Sequence, residues 1–311
     1  MTIVVAGSTG LVGSAIIREL NRRGESVIGI NRSVVDLLDR KSTFEFINAA
    51  KPDLVIDAAA IVGGIGANNS FPVDFLSKNL QIQNNLMDAS HAAEVERFVF
   101  LGSSCIYPRD CKQPIKEEYL LTGLLEKTNS AYAVAKIAGI ELIKSYRKQF
   151  NRRWISLMPT NMYGPFDNFD LETSHVLPAF INRFVSAVES QISEVMLWGT
   201  GLPKREFLYV DDLARAVLLA AEKYDAPDHL NVGTGEDVSI ANLAEIVATN
   251  AGYLGNITWD STKPDGTLRK VLDITNIKKI GWQPEIPLKK GIAFTIEWFK
   301  ENEKTLAKRE R

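Results

Sequence analysis

The chain has 311 residues, 45% hydrophobic and 24% charged, with a net charge of -2. That length buries a sizeable core and suggests two structural units, and the charge balance excludes the basic footprint of a nucleic-acid-binding protein. The only two cysteines, Cys105 and Cys111, exclude a disulfide framework; with no signal-like start and no run near the roughly 18 apolar residues of a membrane span, the expectation is a cytoplasmic protein.

In chain order, strands are predicted at residues 2–6, 26–30, 53–57, 97–101 and 154–158. Helical spacing fills the gaps at 12–23, 42–50, 71–92 and 131–150. This alternation predicts an α/β fold, a doubly wound, mostly parallel (Rossmann) sheet covered on both faces. Past Pro165 the rhythm breaks. Residues 166–173 are loop-like, followed by helices at 178–189, 211–223 and 239–250, a strand at 194–198, a loop at 263–269 and a last helix at 288–301. The predicted organisation is a cofactor domain over 1–165, to which the chain returns around 208–235. A smaller α+β substrate-binding lobe takes 166–207 and 236–303, and residues 304–311 form a charged, frayed tail.

The first strand runs into Gly7-Ser8-Thr9-Gly10-Leu11-Val12-Gly13 and then a helix. Glycines at such a turn let the backbone approach a pyrophosphate, which the helix N-terminus then favours. Glycine triplets alone are weak signals, but this one follows a strand and opens a helix. The second strand ends in Ile30-Asn31-Arg32-Ser33, without the carboxylate that would read an NAD ribose. Arg32 can pair with a 2′-phosphate instead, which favours NADP(H); the alternative is a solvated surface arginine. Asp36 and Asp39 follow, either facing the adenine or starting a helix.

Tyr132 and Lys136 are four apart on a predicted helix and therefore share a face. An ammonium near a phenol lowers its pKa. Upstream, the strand ending Leu101-Gly102-Ser103-Ser104 presents a hydroxyl at the ligand end of the sheet. Ser103, Tyr132 and Lys136 together orient a carbonyl and protonate its oxygen as hydride arrives, with Lys136 also within reach of the nicotinamide ribose. Tyr-x-x-x-Lys is common by itself; in this context the set resembles the extended short-chain dehydrogenase/reductase superfamily.

Two residues beyond Ser103 stands Cys105, and His175 is one of three histidines. A thiol and an imidazole on opposite faces of a sugar ring can epimerise carbons beside a ketone, since the carbonyl acidifies their hydrogens. Singly, Cys105 reads as a small buried hydrophobe and His175 as a helix-start residue. The runs Gly102-Ser103-Ser104-Cys105-Ile106-Tyr107-Pro108, Met158-Pro159-Thr160-Asn161-Met162-Tyr163-Gly164-Pro165, Asp167-Asn168-Phe169, Ser174-His175-Val176, Lys263-Pro264-Asp265-Gly266-Thr267-Leu268-Arg269-Lys270 and Val62-Gly63-Gly64-Ile65-Gly66-Ala67-Asn68-Asn69 resemble the GDP-L-fucose synthase family over essentially the whole chain.

The resemblance implies 3,5-epimerisation of GDP-4-keto-6-deoxy-D-mannose through Cys105 and His175, then NADPH reduction at C4 with Tyr132 as proton donor. Ser103 and Lys136 would support Tyr132. Leu101, Gly102, Ser103, Ser104, Pro159, Thr160, Asn161, Met162 and His175 would line the cofactor. Arg183, Trp198, Arg205, Asp265 and Lys270 would hold the GDP-sugar, and the helices at 71–92 and 131–150 would form a homodimer seam. Two departures stand out. Ser8-Thr9 occupy a place where the family often carries a basic residue, and Ile61 stands where a lysine is frequent. Three rival readings remain: a sibling enzyme acting on a related GDP-4-keto sugar of the colitose type, a nucleotide-sugar 4-epimerase or 4,6-dehydratase, and a non-catalytic dinucleotide sensor. Cys105-Ile106, standing where a dehydratase carries an acidic pair, argues against the second. Retention of both Tyr132 and Lys136 argues against the third.

Overall fold

The structure, a computed structural model, describes residues 1–263 and 265–309. Pro264 of the Lys263-to-Lys270 motif and the last two residues of the expected tail lie outside the described residues. The first half alternates as the sequence predicts. β1 (Thr2–Ala6), α1 (Leu11–Arg22), β2 (Ser26–Ile30), α2 (Arg40–Ala50) and β3 (Leu54–Asp57) lead to α3 (Ile65–Ser70) and α4 (Asn79–Ala92). β4 (Arg97–Leu101), α5 (Ser130–Phe150) and β5 (Ile155–Pro159) follow. Their strands join β10 (Leu230–Val232) in one six-stranded sheet of order β10-β5-β4-β3-β1-β2. Every pairing in it is parallel. All five residues of β4 and of β5 are buried, as a sheet covered on both faces requires. The strand order reverses between β1 and β3, so the ligand crevice opens at their carboxyl ends.

The second half contains β6 (Asn161–Tyr163), α6 (Val176–Glu189), β7 (Glu194–Trp198), β8 (Lys204–Arg205), β9 (Phe207–Tyr209) and α7 (Val210–Lys223). After β10 come β11 (Val238–Ser239), α8 (Ile240–Ala251), β12 (Asn256–Asp260), β13 (Arg269–Lys270), the short α9 (Thr275–Lys279) and α10 (Leu288–Arg309). β7 pairs β12, while β8 lies between β11 and β13. Two apolar clusters result. One surrounds the large sheet with α1, α4, α5 and α7. The other gathers Phe180, Phe184, Leu197, Val247, Ile292 and Phe299 from α6, β7, α8 and α10.

The helix predicted over 71–92 is helical from residue 72 onward, with one wide π-turn at Asp74–Lys78 that runs directly into α4. The cause is Asn79, whose buried amide donates to the carbonyls of Phe75 and Ile61 and accepts the Ile61 N–H. That clasp ties the start of α4 to the loop after β3. The predicted loop at 263–269 ends one residue early, because Arg269 already pairs with Lys204 in β13–β8. The last helix, expected over 288–301, extends to Arg309.

Candidate active site

β1 ends in a turn that only glycine builds. Gly7 has φ +76°, and a Cβ on it would lie 2.7 Å from the Ala58 carbonyl oxygen; a Cβ on Gly13 would lie 2.1 Å from the Gly7 carbonyl oxygen. Gly10 caps α1 without a side chain, so no side chain takes up the first N–H groups of that twelve-residue helix. The result is a surface with positive helix-end character and no Cβ in the way, suited to a pyrophosphate. Ser8 donates its N–H to Ile30 at 3.0 Å, tying this turn to the end of β2. Just beyond, the Asn31 side chain accepts from the N–H and hydroxyl of Ser33, shaping the turn on which Arg32 is exposed. Arg32 pairs with no carboxylate among the described residues. Asp39 accepts from Lys41 N–H and Ser42 and caps α2, and Asp36 accepts the Leu38 N–H. Both aspartates are therefore turn and helix-start residues.

Ser103 follows β4 in extended backbone and accepts the Cys105 N–H at 3.2 Å, opening a short turn over Ser104–Ile106. Tyr132 and Lys136 face this turn from α5. α5 approaches β4 closely because of Gly139, where a Cβ would meet the Phe100 ring at 2.3 Å. The Lys136 amine consequently lies 4.8 Å over the Phe100 ring and 5.8 Å over the Tyr132 ring, and donates to the Leu101 carbonyl at 3.0 Å. Burial pushes the Tyr132 phenol above its ordinary value, helped by Cys105 and Asp57, against a hydrogen bond from Ser103. Burial pulls Lys136 down, and Asp57 opposes that. The expected lowering of the phenol by its neighbouring ammonium is outweighed, since desolvation disfavours the phenolate and the ammonium is turned to Leu101.

Cys105 lies 3.8 Å from the Lys270 amine. Lys270 is register-paired with Arg205 across β13–β8. The Arg205 guanidinium donates to the Lys204 carbonyl and, at 2.5 Å, to the Thr267 carbonyl. Burial lowers it, while Cys105 and Asp265 hold it up. His175 is the cap residue of α6, and no hydrogen bond joins it to Cys105. The residue is exposed, and desolvation of the ring by its neighbours pulls it below the usual imidazole value. The segment before it rests on Gly64, which donates to the Thr173 carbonyl at 2.9 Å. That close approach tolerates no Cβ, because one on Gly64 would lie 2.8 Å from the Ser174 oxygen.

The remaining substrate candidates sit farther along the second apolar cluster. Arg183 donates to the Met196 carbonyl at 3.1 Å. Trp198 is 67% exposed, with the Lys263 amine 5.6 Å over its ring. Asp265 is held by Thr200, accepting its N–H at 3.0 Å and its hydroxyl at 2.6 Å, so it latches the late loop onto the turn after β7. Of the cofactor candidates, Thr160 donates its N–H to Val232, and the Asn161 amide donates to the Glu206 carbonyl at 2.8 Å. Sequence reasoning missed Asp57 and Glu206. Both are buried carboxylates at strand ends.

The sequence over residues 3–233 matches the NAD dependent epimerase/dehydratase family. The chain belongs to that family. It is 51% identical to a rice (Oryza sativa subsp. japonica) protein named "Probable GDP-L-fucose synthase 1", over 96% of this chain and 92% of that one. It is 46% identical to the GDP-L-fucose synthase of Escherichia coli K12, over 97% of both chains. Among solved structures, a GDP-L-fucose synthetase from Naegleria fowleri bound to NADP superposes with a TM-score of 0.90 at 28% identity, covering 98% of this chain and 95% of that one. Within the family, the chain therefore falls among proteins named GDP-L-fucose synthase.

Proposed function

We propose that this chain converts GDP-4-keto-6-deoxy-D-mannose to GDP-L-fucose by 3,5-epimerisation followed by NADPH-dependent reduction at C4. The observation that carries the reading is the meeting of two sets of groups at the end of β4. Ser103, Tyr132 and Lys136 form one, and Cys105 with Lys270 beside it forms the other. The 4-ketone acidifies the hydrogens at C3 and C5, so Cys105 and His175 need act only as modest base and acid on opposite ring faces. Tyr132, kept neutral by burial, then gives its proton to the C4 oxygen while Ser103 orients that oxygen and Lys136 faces the phenolate left behind. Bound NADPH supplies the hydride. The glycine turn would hold its pyrophosphate and Arg32 its 2′-phosphate, with Leu101 to Ser104 and Pro159 to Met162 lining the rest. Arg205 and Lys270 suit the substrate diphosphate, Trp198 offers a flat wall, and Arg183 and Asp265 complete that end of the site.

On this reading residues 1–165 and 208–235 serve the cofactor, and 166–207 with 236–303 serve the substrate. A homodimer through α4 and α5 is supported by the exposed Val134 and Phe150 on α5; a monomeric mass at micromolar concentration overturns it. A cytoplasmic location is supported by the free thiols Cys105 and Cys111. No helix among the described residues is long and apolar enough to cross a membrane. The deciding experiment supplies GDP-4-keto-6-deoxy-D-mannose with NADPH or NADH and identifies the product. GDP-L-fucose with NADPH oxidised in equal amount is the expected result. No NADPH oxidation defeats the proposal, and a different product sugar replaces the substrate.

A further inference from the structure

Asp57 closes β3 and has had no role so far. It is fully buried. Its Oδ1 accepts the Ala59 N–H at 3.1 Å, and its Oδ2 has no hydrogen-bond partner. A buried carboxylate this poorly satisfied is costly, so what faces it matters. Asp57 is register-paired with Phe100 on β4. The Phe100 ring carries the Lys136 amine 4.8 Å above it, and the same amine donates to Leu101, one residue further along the strand. Carboxylate and ammonium thus occupy adjoining strand ends in the same dry space. Each acts on the other: Lys136 opposes the burial that raises Asp57, and Asp57 opposes the burial that lowers Lys136. Tyr132 feels Asp57 as well.

We propose that Asp57 is a positioning residue for the reduction, the counter-ion across β3 and β4 that holds Lys136 charged beside Tyr132. The inference rests on the assignment of Tyr132 and Lys136 to hydride chemistry. When the Tyr132 O–H bond breaks and the new O–H bond forms on the substrate C4 oxygen, a phenolate remains on Tyr132. A charged Lys136 offsets it, alongside the hydrogen bond from Ser103. Asp57 itself disfavours that phenolate by like charge, so any benefit it brings runs through Lys136. It forms no bond and moves no proton to substrate.

The test uses the whole protein labelled with [ε-13C]lysine, the Lys136 resonance being assigned by its loss in Lys136→Met. Asp57→Asn is nearly isosteric, keeps an acceptor for the Ala59 N–H and removes the charge. The Lys136 titration midpoint is expected to fall by about one pH unit or more, a tenfold loss of proton affinity, since an opposite charge at close range shifts a pKa by about 1–3 units. The alkaline limb of kcat is expected to move down by the same amount, with the Kd for NADPH unchanged. An unmoved Lys136 midpoint in an enzyme that turns over overturns the Asp57 inference and leaves the proposed reaction standing. A wild-type protein that does not oxidise NADPH defeats the proposed reaction, whatever Lys136 does. If Asp57→Asn does not fold, the wild-type titration decides. Asp57 is pushed up to about 6 by burial, so the Lys136 resonance should show a second inflection near that pH; a flat trace there overturns the inference.

Discussion

Glu206 lies between Arg205 and the buried strand β9, and its carboxylate holds three chain segments together. One oxygen accepts the N–H groups of Thr234 at 2.5 Å and Gly235 at 2.6 Å, and the other accepts the Leu272 N–H at 2.9 Å. The last of these fixes the chain just after Lys270, the residue beside Cys105. Glu206→Ala leaves three buried or part-buried N–H groups without partners, at about 1–3 kcal/mol each. Against this stands the burial that raises the pKa of Glu206 and makes its charge costly to keep. Three unpaired N–H groups, less the relief of that burial, leave a net cost of about 4 kcal/mol. With an unfolding entropy of about 2.1 cal/mol/K per residue, 311 residues give roughly 0.65 kcal/mol per degree, and a loss of about 4 kcal/mol lowers Tm by about 6 °C. Calorimetry at pH 7.5 measures this directly. Glu206→Gln, which keeps one acceptor oxygen, should fall between the two. A Tm within 2 °C of wild type for Glu206→Ala would show that water replaces the carboxylate and that it stitches nothing.

Tyr132→Phe should lower the reduction rate by about 10²–10⁴-fold while solvent deuterium still enters the substrate at C3 and C5; loss of exchange together with reduction would remove the separation of the two half-reactions. Cys105→Ser should stall epimerisation and leave NADPH affinity unaltered, and undiminished product formation would refute the role of the thiol. Gly13→Ala places a Cβ 2.1 Å from the Gly7 oxygen and should weaken NADPH binding at least tenfold, as read by fluorescence titration; wild-type affinity would show that the pyrophosphate lies elsewhere. Asp167 is pushed up to about 7 by burial, with one oxygen unpartnered. A carboxyl raised in the folded state binds its proton more tightly there, so its contribution to stability is lost as pH rises from about 4 to about 7. Asp167→Asn should melt higher than wild type at pH 8 and level with it near pH 4, and the opposite ordering would contradict the burial argument.

The parts of the site legible in the sequence are those written in local spacing. The Gly7-to-Gly13 turn, the four-residue step from Tyr132 to Lys136 and the burial of residues 97–101 each follow from one helix or strand period. What stayed hidden depends on contacts distant in the chain. Lys270 reaches Arg205 only because β13 pairs with β8. Asp57 reaches the neighbourhood of Lys136 only because β3 pairs with β4 and Gly139 lets α5 close on Phe100. The helix expected over 71–92 is present, but the wide turn inside it at 74–78 was hidden for a similar reason: Asn79 bonds Ile61, eighteen residues earlier. Apolar periodicity carries no trace of such a clasp. Cys105 and His175 were weighed through resemblance, since neither has a spacing that marks it.

Burial explains why the phenol runs opposite to the first expectation. Desolvation raises Tyr132 and Asp57 and lowers Lys136, His175 and Arg205, so each is moved toward its neutral form. For a reduction this is the useful direction. The phenol must arrive with its proton on, and a raised pKa guarantees that at neutral pH. Its weakness as an acid matters little, because the C4 oxygen becomes strongly basic as hydride reaches the carbon. The phenolate is then the unstable species, and it forms on a side chain that burial has largely desolvated. A cation fixed beside it must therefore already carry its charge. Lys136 is the only ammonium within reach of that ring among the described residues, and burial works against its charge as well. The site thus needs a neutral donor and a charged neighbour in the same dry space, and a second buried charge is the simplest physical means of having both.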